Sequence, residues 1–242
     1  MELSEKSTVH EIQQRFDGVV DCFSSLEQGA RPIADERLMM ELVAQVVARR
    51  HKPGPGRHLL DVGCGAGNFA LIVLQQLPGV SVTLQDLSTP MVDRAVQRVS
   101  AATDGRVTGI QGDIREVDLG HQQFDVIVAG FVLHHLRESD QWRNVYRKLF
   151  ESLKPGGSLW VVDLVSHDDA DAHAVIQDCY GDYLSARKDE AFRDLVLGLI
   201  EKEDSPRSLL FQIDLMRQTG FEHVEILHKQ MCYATFGSIK TL

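Results

Sequence analysis

Nowhere does this chain offer the unbroken apolar run of roughly 18 residues that a membrane-spanning helix needs. Residues 1–11 are charged and polar, without the apolar segment of a secretory signal, so export is not expected. Cysteine is scarce. Cys22, Cys64, Cys179 and Cys232 lie far apart and form no CxxC pair. That excludes a disulfide framework and the usual zinc-ligand spacing, so no metal site is expected, and reduced thiols in a cytoplasmic protein are the simplest reading. Basic residues are also short: 25 Lys and Arg against 35 Asp and Glu give a net charge of -10. A chain this acidic repels phosphate backbones, so neither nucleic acid nor a membrane is expected as a direct partner. No internal repeat and no low-complexity tract is present.

What remains is 242 residues, 43% of them hydrophobic, enough for one α/β domain with a full core. Residues 8–50 read as a helical cap. Within them Leu38, Leu42, Val43, Val46 and Val47 recur at helical spacing over 38–50. Prolines and glycines at 53–56 end that helix. Strands are predicted at 58–62, 81–85, 107–111, 124–129 and 158–165. Helices are predicted at 68–77 and 91–100, and from a Ser139 cap to 153. Alternation of this kind builds right-handed βαβ units on a parallel sheet. Residues 166–205 are polar and helical, a helical insertion too short for its own core. A helix over 206–219, closed by Gly220, precedes strands at 222–228 and 231–240. Their link is too short for a crossover, which makes this pair antiparallel.

The chemistry starts at Asp61-Val62-Gly63-Cys64-Gly65-Ala66-Gly67-Asn68, where the first strand feeds the first sheet helix. Glycines there let the backbone turn tightly and approach a ligand at the carboxyl edge of the sheet. The spacing is GxGxG, one place short of the dinucleotide fingerprint GxGxxG. Asp86 ends the next strand, where a carboxylate holds ribose hydroxyls in either cofactor class. Gly112-Asp113-Ile114 follows the third strand. Asp113 could accept from an adenine amino group, or only cap a turn. Cys64 reads as packing, and Asp125 as a surface strand start.

Together with 124–136 and the Leu153-Lys154-Pro155-Gly156-Gly157 turn, these segments resemble the class I S-adenosylmethionine (SAM)-dependent methyltransferase superfamily over 58–165. The resemblance implies a Rossmann-like, seven-stranded, mostly parallel sheet with a reversed last strand, and SAM as cofactor. It implies that Gly63, Gly65 and Gly67 line the methionine and ribose part of SAM. Asp61 would meet the methionine amino group, Asp86 the ribose, Leu87, Asp113 and Ile114 the adenine, and Ala129 would close the pocket. The expected reaction is methyl transfer to a small-molecule acceptor.

The flanks carry a second resemblance. Phe16-Asp17, Gly220-Phe221-Glu222-His223 and Phe236-Gly237-Ser238 are similar to the carboxy-SAM synthase branch. Its members make carboxy-SAM from SAM and prephenate for tRNA wobble-uridine modification, and form homodimers. That branch places a carboxylate-binding arginine a few residues before the Gly-Phe-Glu-His element, where this chain has Leu215. Arg217, two places on, faces elsewhere on a helix. A buried carboxylate without a cationic partner is costly, so ordinary methyl transfer is the preferred reading and carboxy-SAM synthesis the alternative.

Methyl transfer mainly requires an acceptor positioned in line and water kept out. An acidic acceptor also calls for a base. His134 and His135 follow the fourth strand and are candidates, against a purely structural His-His-Leu turn. In the insertion, His173, Tyr180 and Tyr183 are candidates to face the acceptor, with packing as the competing reading for the tyrosines. Arg31 is a candidate anchor for an anionic acceptor, against a solvated surface arginine, and Arg31 or Arg187 is a candidate to replace the branch's missing carboxylate-binding arginine. The cap and the insertion are expected to fold over the cofactor together.

Overall fold

The computed structural model describes residues 5–24 and 32–241. One sheet of seven strands organises them, in the order β3-β2-β1-β4-β5-β7-β6. In chain order the elements begin with α1 (Val9–Asp17), α2 (Val20–Phe23) and α3 (Glu36–Arg50), followed by β1 (His58–Val62), α4 (Asn68–Gln76) and β2 (Ser81–Asp86). Next come α5 (Thr89–Ser100), β3 (Val107–Gln111), β4 (Phe124–Gly130), a 3₁₀ turn (Leu133–His135), α6 (Ser139–Ser152) and β5 (Leu153–Leu164). The chain closes with α7 (Ala170–Arg187), α8 (Glu190–Glu203), α9 (Leu209–Thr219), β6 (Glu222–Gln230) and β7 (Tyr233–Ile239). β1 to β5 are parallel, and β7 runs antiparallel to both β5 and β6. The antiparallel ending follows from the short link after β6, as expected.

The sheet has a core on each face. On one face α3, α4, α5 and α7 bury Val43, Phe69, Val73, Ala95 and Tyr180 against Leu59, Val82 and Val126. On the other, α6 and α9 bury Trp142, Tyr146, Leu149, Ile213 and Met216 against Leu60, Ile127 and Leu159. Helix starts are chemically marked. Ser88 Oγ accepts from Met91 N–H at the head of α5, and Ser208 Oγ from Phe211 N–H at the head of α9. Gly220 ends α9 in the left-handed region at φ 109°.

Three local expectations are corrected. The buried stripe of α3 is Met39, Met40, Val43, Ala44 and Val47, while Leu38 is 44% exposed, because the packing of α3 on α4 rotates the apolar face. Glu138, not Ser139, is the N-cap of α6, and its backbone N–H donates to Gln141 Oε1 at 3.3 Å. The Lys154–Gly157 turn is drawn into β5, with a register shift against β4, because Lys240 pairs with its backbone at Gly156 N–H and Gly157 C=O.

Candidate functional site

The carboxyl edges of β1, β2 and β4 open into a cavity of about 770 Å³. That lies in the upper part of the range for small-molecule sites. Its floor is the glycine turn. Gly63 takes φ 63°, and a Cβ there would lie 2.5 Å from Val132, so only glycine fits under the β4 loop. Gly65 takes φ 49° with open space beside it, which is the cavity itself. Its N–H donates to Asp86 Oδ2 at 2.8 Å, and Ser88 N–H donates to Oδ1 at 2.9 Å. Asp86 therefore ties the glycine turn to the β2 loop with one lone pair per oxygen, leaving the other lone pairs for a ligand. Burial pushes its carboxyl up, against the pull of these N–H donors.

Asp61 lies deeper, 1% exposed. Oδ2 accepts from Ala70 N–H in the first turn of α4, and Oδ1 has no partner. Burial first, and Asp86 second, raise this carboxyl to about 8 despite the Ala70 donor. An unpartnered buried carboxylate oxygen bordering a cavity is a ready place for a ligand ammonium. Across the floor, Leu87, Asp113 and Ile114 also line the cavity. Asp113 has both oxygens on Arg115 and accepts the Arg115 N–H as well, so it caps its turn and borders the cavity at once.

Two residues expected at the cofactor do not line the cavity. Gly67 does not border the cavity. It starts α4 at φ 85°, and a Cβ there would meet Val99 at 3.1 Å and Ala95 at 3.3 Å, so its role is the close approach of α4 to α5. Ala129 is fully buried among Leu60, Val62 and Ile127, because alternation along β4 turns it to the opposite face, and Gly130 borders the cavity instead. Cys64 is buried in the turn with its thiol pushed well up by burial, in keeping with packing. Asp125 sits at the far end of β4. There Lys154, Arg57 and the His58 N–H outweigh burial and hold it low.

The roof comes from both helical segments. Val9, Ile12 and Phe16 of α1, Phe23 of α2, and Val196, Leu199 and Ile200 of α8 face the cavity. Arg15 clamps α1 to α8 through both oxygens of Glu203, at 2.6–3.0 Å. Asp17 accepts from Ser88 Oγ at 2.5 Å, and Phe23 C=O accepts from Asn68 Nδ2 at 2.8 Å, which ties the roof to the floor. α7 packs behind. Tyr180, expected near the acceptor, is fully buried outside the cavity, its hydroxyl shared between Tyr233 at 3.0 Å and Pro32 C=O at 3.1 Å. Tyr233 takes its place on the wall, and Tyr183, His173 and Arg187 do not border the cavity either. Arg31 lies outside the described residues.

His134 and His135 do face the cavity, at the 3₁₀ turn after β4. His134 Nδ1 is 2.5 Å from Asp163 Oδ1, and its Nε2 is 3.6 Å from Asp204 Oδ1. Burial alone would push His134 down, but Asp204 and Asp163 together raise it to about 9. His135 Nδ1 lies 3.0 Å from the same Asp204 oxygen. Asp204 and Asp163 are absent from the reading of the sequence. Asp163 left a trace there, as a lone acid inside the apolar run of β5, whereas Asp204 follows a helix of ordinary charge density.

Residues 60–159 match the family described as methyltransferase domain. Over those residues the chain is similar to a methyltransferase domain. It is 28% identical to the carboxy-SAM synthase of Chromohalobacter salexigens over 92% of this chain and 81% of that one. The fold superposes on the CurJ carbon methyltransferase with a TM-score of 0.69 at 17% identity, over 98% of this chain but 62% of the CurJ chain. It superposes equally fully on the [4+2]-cyclase SpnF, with a TM-score of 0.65 at 17% identity over 98% of both chains. One scaffold therefore carries more than one chemistry, and the reaction has to be argued from the cavity.

Proposed function

We propose that this protein transfers the methyl group of SAM to a small-molecule acceptor enclosed between the glycine turn and the helical roof. The observation that carries the reading is the charge of the cavity wall. Seven acidic residues border it (Asp21, Glu36, Asp61, Asp86, Asp113, Glu203 and Asp204), Asp61 holding its proton near neutral pH until a cation pairs with it, against the three arginines Arg15, Arg115 and Arg137 and the protonated His134. Such a wall favours a sulfonium cation with an ammonium group. Asp61 would take the ammonium on its open oxygen, Asp86 the ribose hydroxyls, and Leu87 and Ile114 the adenine faces. SAM supplies an activated methyl and leaves as a neutral thioether. The apolar residues Phe16, Phe23, Phe131 and Ile200 exclude water and hold the acceptor in line.

The alternative, carboxy-SAM synthesis, is favoured by the names of the relatives and opposed by the arginines. Arg15 is committed to Glu203, Arg115 to Asp113, and Arg137 donates to Ser7 C=O. Leu215 is buried in the core on the α9 side, and Arg217 is exposed beside Asp214. Arg15 and Arg115 are thus already paired with carboxylates, and Arg137, whose guanidinium bonds a backbone carbonyl, is the one cavity arginine among the described residues left to meet an added carboxylate. Four unbridged cysteines, two of them buried, agree with a reducing cytoplasm. No helix among the described residues is long and apolar enough to cross a membrane. A homodimer rests on the branch resemblance alone.

The deciding experiment is mass spectrometry of ligand released from purified protein and of products formed from SAM with and without prephenate. Alongside it, methyl-labelled SAM is incubated with a small-molecule extract. Label moving to a small molecule supports methyl transfer. A species one carboxylate heavier than SAM overturns it in favour of the alternative.

A further inference from the structure

Three side chains on one wall of the cavity converge on one another. His134 and His135 come from the turn after β4, and Asp204 from the end of α8. The two segments are joined by Ser205 N–H donating to His134 C=O at 2.7 Å. One nitrogen of His134, one nitrogen of His135 and one oxygen of Asp204 all lie within 4.8 Å of one another. His135 Nδ1 lies 3.0 Å from Asp204 Oδ1 and is buried without another partner. His134 Nε2 stands 3.6 Å from that same oxygen, beyond hydrogen-bond reach.

From this geometry we infer a divalent transition-metal site built from His134 Nε2, His135 Nδ1 and Asp204 Oδ1, open toward the cavity. Donors sharing one metal at about 2.1 Å sit about 3.0 Å apart on an octahedral edge and about 3.4 Å apart on a tetrahedral one. The observed 3.0 Å and 3.6 Å bracket those spacings. The supporting shell is present as well. Asp163, fully buried, holds His134 Nδ1 at 2.5 Å, the arrangement that fixes a ligating imidazole with its other nitrogen outward. Asp163 also accepts from His134 N–H at 3.1 Å, so both ring and backbone are pinned.

Two imidazoles and one carboxylate suit zinc, iron, cobalt or nickel rather than magnesium or calcium, which take oxygen sets. Three protein donors leave positions for exogenous ligands, and all three residues border the cavity that holds the glycine turn. The site therefore takes an oxygen donor, so the acceptor is an acidic hydroxyl or a carboxylate bound as its anion beside the methyl donor. This assignment of acceptor class rests on the methyl-transfer reading. The metal site does not.

The test uses cobalt(II) and zinc(II) alone, added to the intact, metal-stripped protein. Saturable binding of one cobalt per chain, with visible ligand-field absorption and displacement by zinc, is expected. His135→Ala and Asp204→Asn should each abolish saturation while circular dichroism shows a folded chain. Asp163→Asn, acting through His134, should weaken binding about 10- to 100-fold. Cys22→Ser with Cys179→Ser, which removes the exposed thiols, should leave binding unchanged. Absence of stoichiometric binding by the folded wild type, equal binding by Asp204→Asn, or loss on removing the thiols overturns the site. A metal-binding protein that transfers no methyl group keeps the site and loses only the acceptor class.

Discussion

Arg15 of α1 grips Glu203 of α8 through both carboxylate oxygens, and this fork closes the roof over the cavity. Glu203 is only 7% exposed in its side chain, so removing its partner strands a buried charge. Arg15→Ala should cost about 1.5–3 kcal/mol. Faster proteolysis within residues 5–24 should accompany the loss, and bound S-adenosylhomocysteine should partly reverse it. Unchanged melting and cleavage in the variant would remove the clamp from this account.

Asp86 works on two sides, holding Gly65 N–H and Ser88 N–H while bordering the cavity. Asp86→Ala should weaken SAM binding by about 1.5–3 kcal/mol, roughly ten- to hundred-fold in Kd. It should also lower the melting temperature of the ligand-free protein, because the glycine turn loses its anchor. Calorimetric titration and a thermal scan read the two effects separately. An unchanged Kd in a folded variant rules out ribose contact.

The glycines should separate by role. At Gly67 an added Cβ presses on Val99 and Ala95 in a left-handed conformation, whereas at Gly65 it enters open space. Gly67→Ala should cost about 1–2 kcal/mol of stability with a smaller change in SAM affinity. Gly65→Ala is strained too, at φ 49°, and should cost a similar amount of stability, but it should weaken SAM binding far more than Gly67→Ala does. The reverse ranking in titration would place Gly67 against the ligand after all.

Asp61 and His134 each contribute stability that is lost as pH rises. The Asp61 carboxyl has a folded value of about 8 against 3.8 in the unfolded chain, so the folded state holds the extra proton and loses stability between those values. His134 has a folded value of about 9 against 6.5, so its contribution is full below 6.5 and gone above about 9. Melting curves from pH 4 to 10 should show Asp61→Asn flattening the lower part of this decline and His134→Gln the upper part. SAM binding near neutral pH should release protons as Asp61 ionises beside the ammonium, measurable as buffer-dependent calorimetric heat.

Tyr180→Phe should behave as a stability variant. It removes the hydroxyl shared by Tyr233 and Pro32, leaving the buried Tyr233 hydroxyl a partner short, at about 1–2 kcal/mol. Turnover per folded molecule should stay unchanged, and a large fall in kcat with normal melting would return Tyr180 to the site.

The sequence alone determined the sheet and its floor. β1 and β3 follow the expected bounds because Gly63 and Gly112 stop both strands sharply, and the antiparallel pair follows from the length of one link. The glycine turn, Asp61, Asp86, Asp113 and Ile114 were legible for the same local reason: each sits at a strand end, and strand ends of one parallel sheet share an edge. Tertiary structure decided everything that depends on which way a side chain points from an element whose rotation is set by packing. It turned Ala129 and Tyr180 away, put Gly67 against α5, and replaced Tyr180 on the wall with Tyr233. It alone brought Asp163 and Asp204 to His134 and His135, because those residues meet only once the end of α8 docks on the turn after β4, and no spacing along a chain encodes that contact.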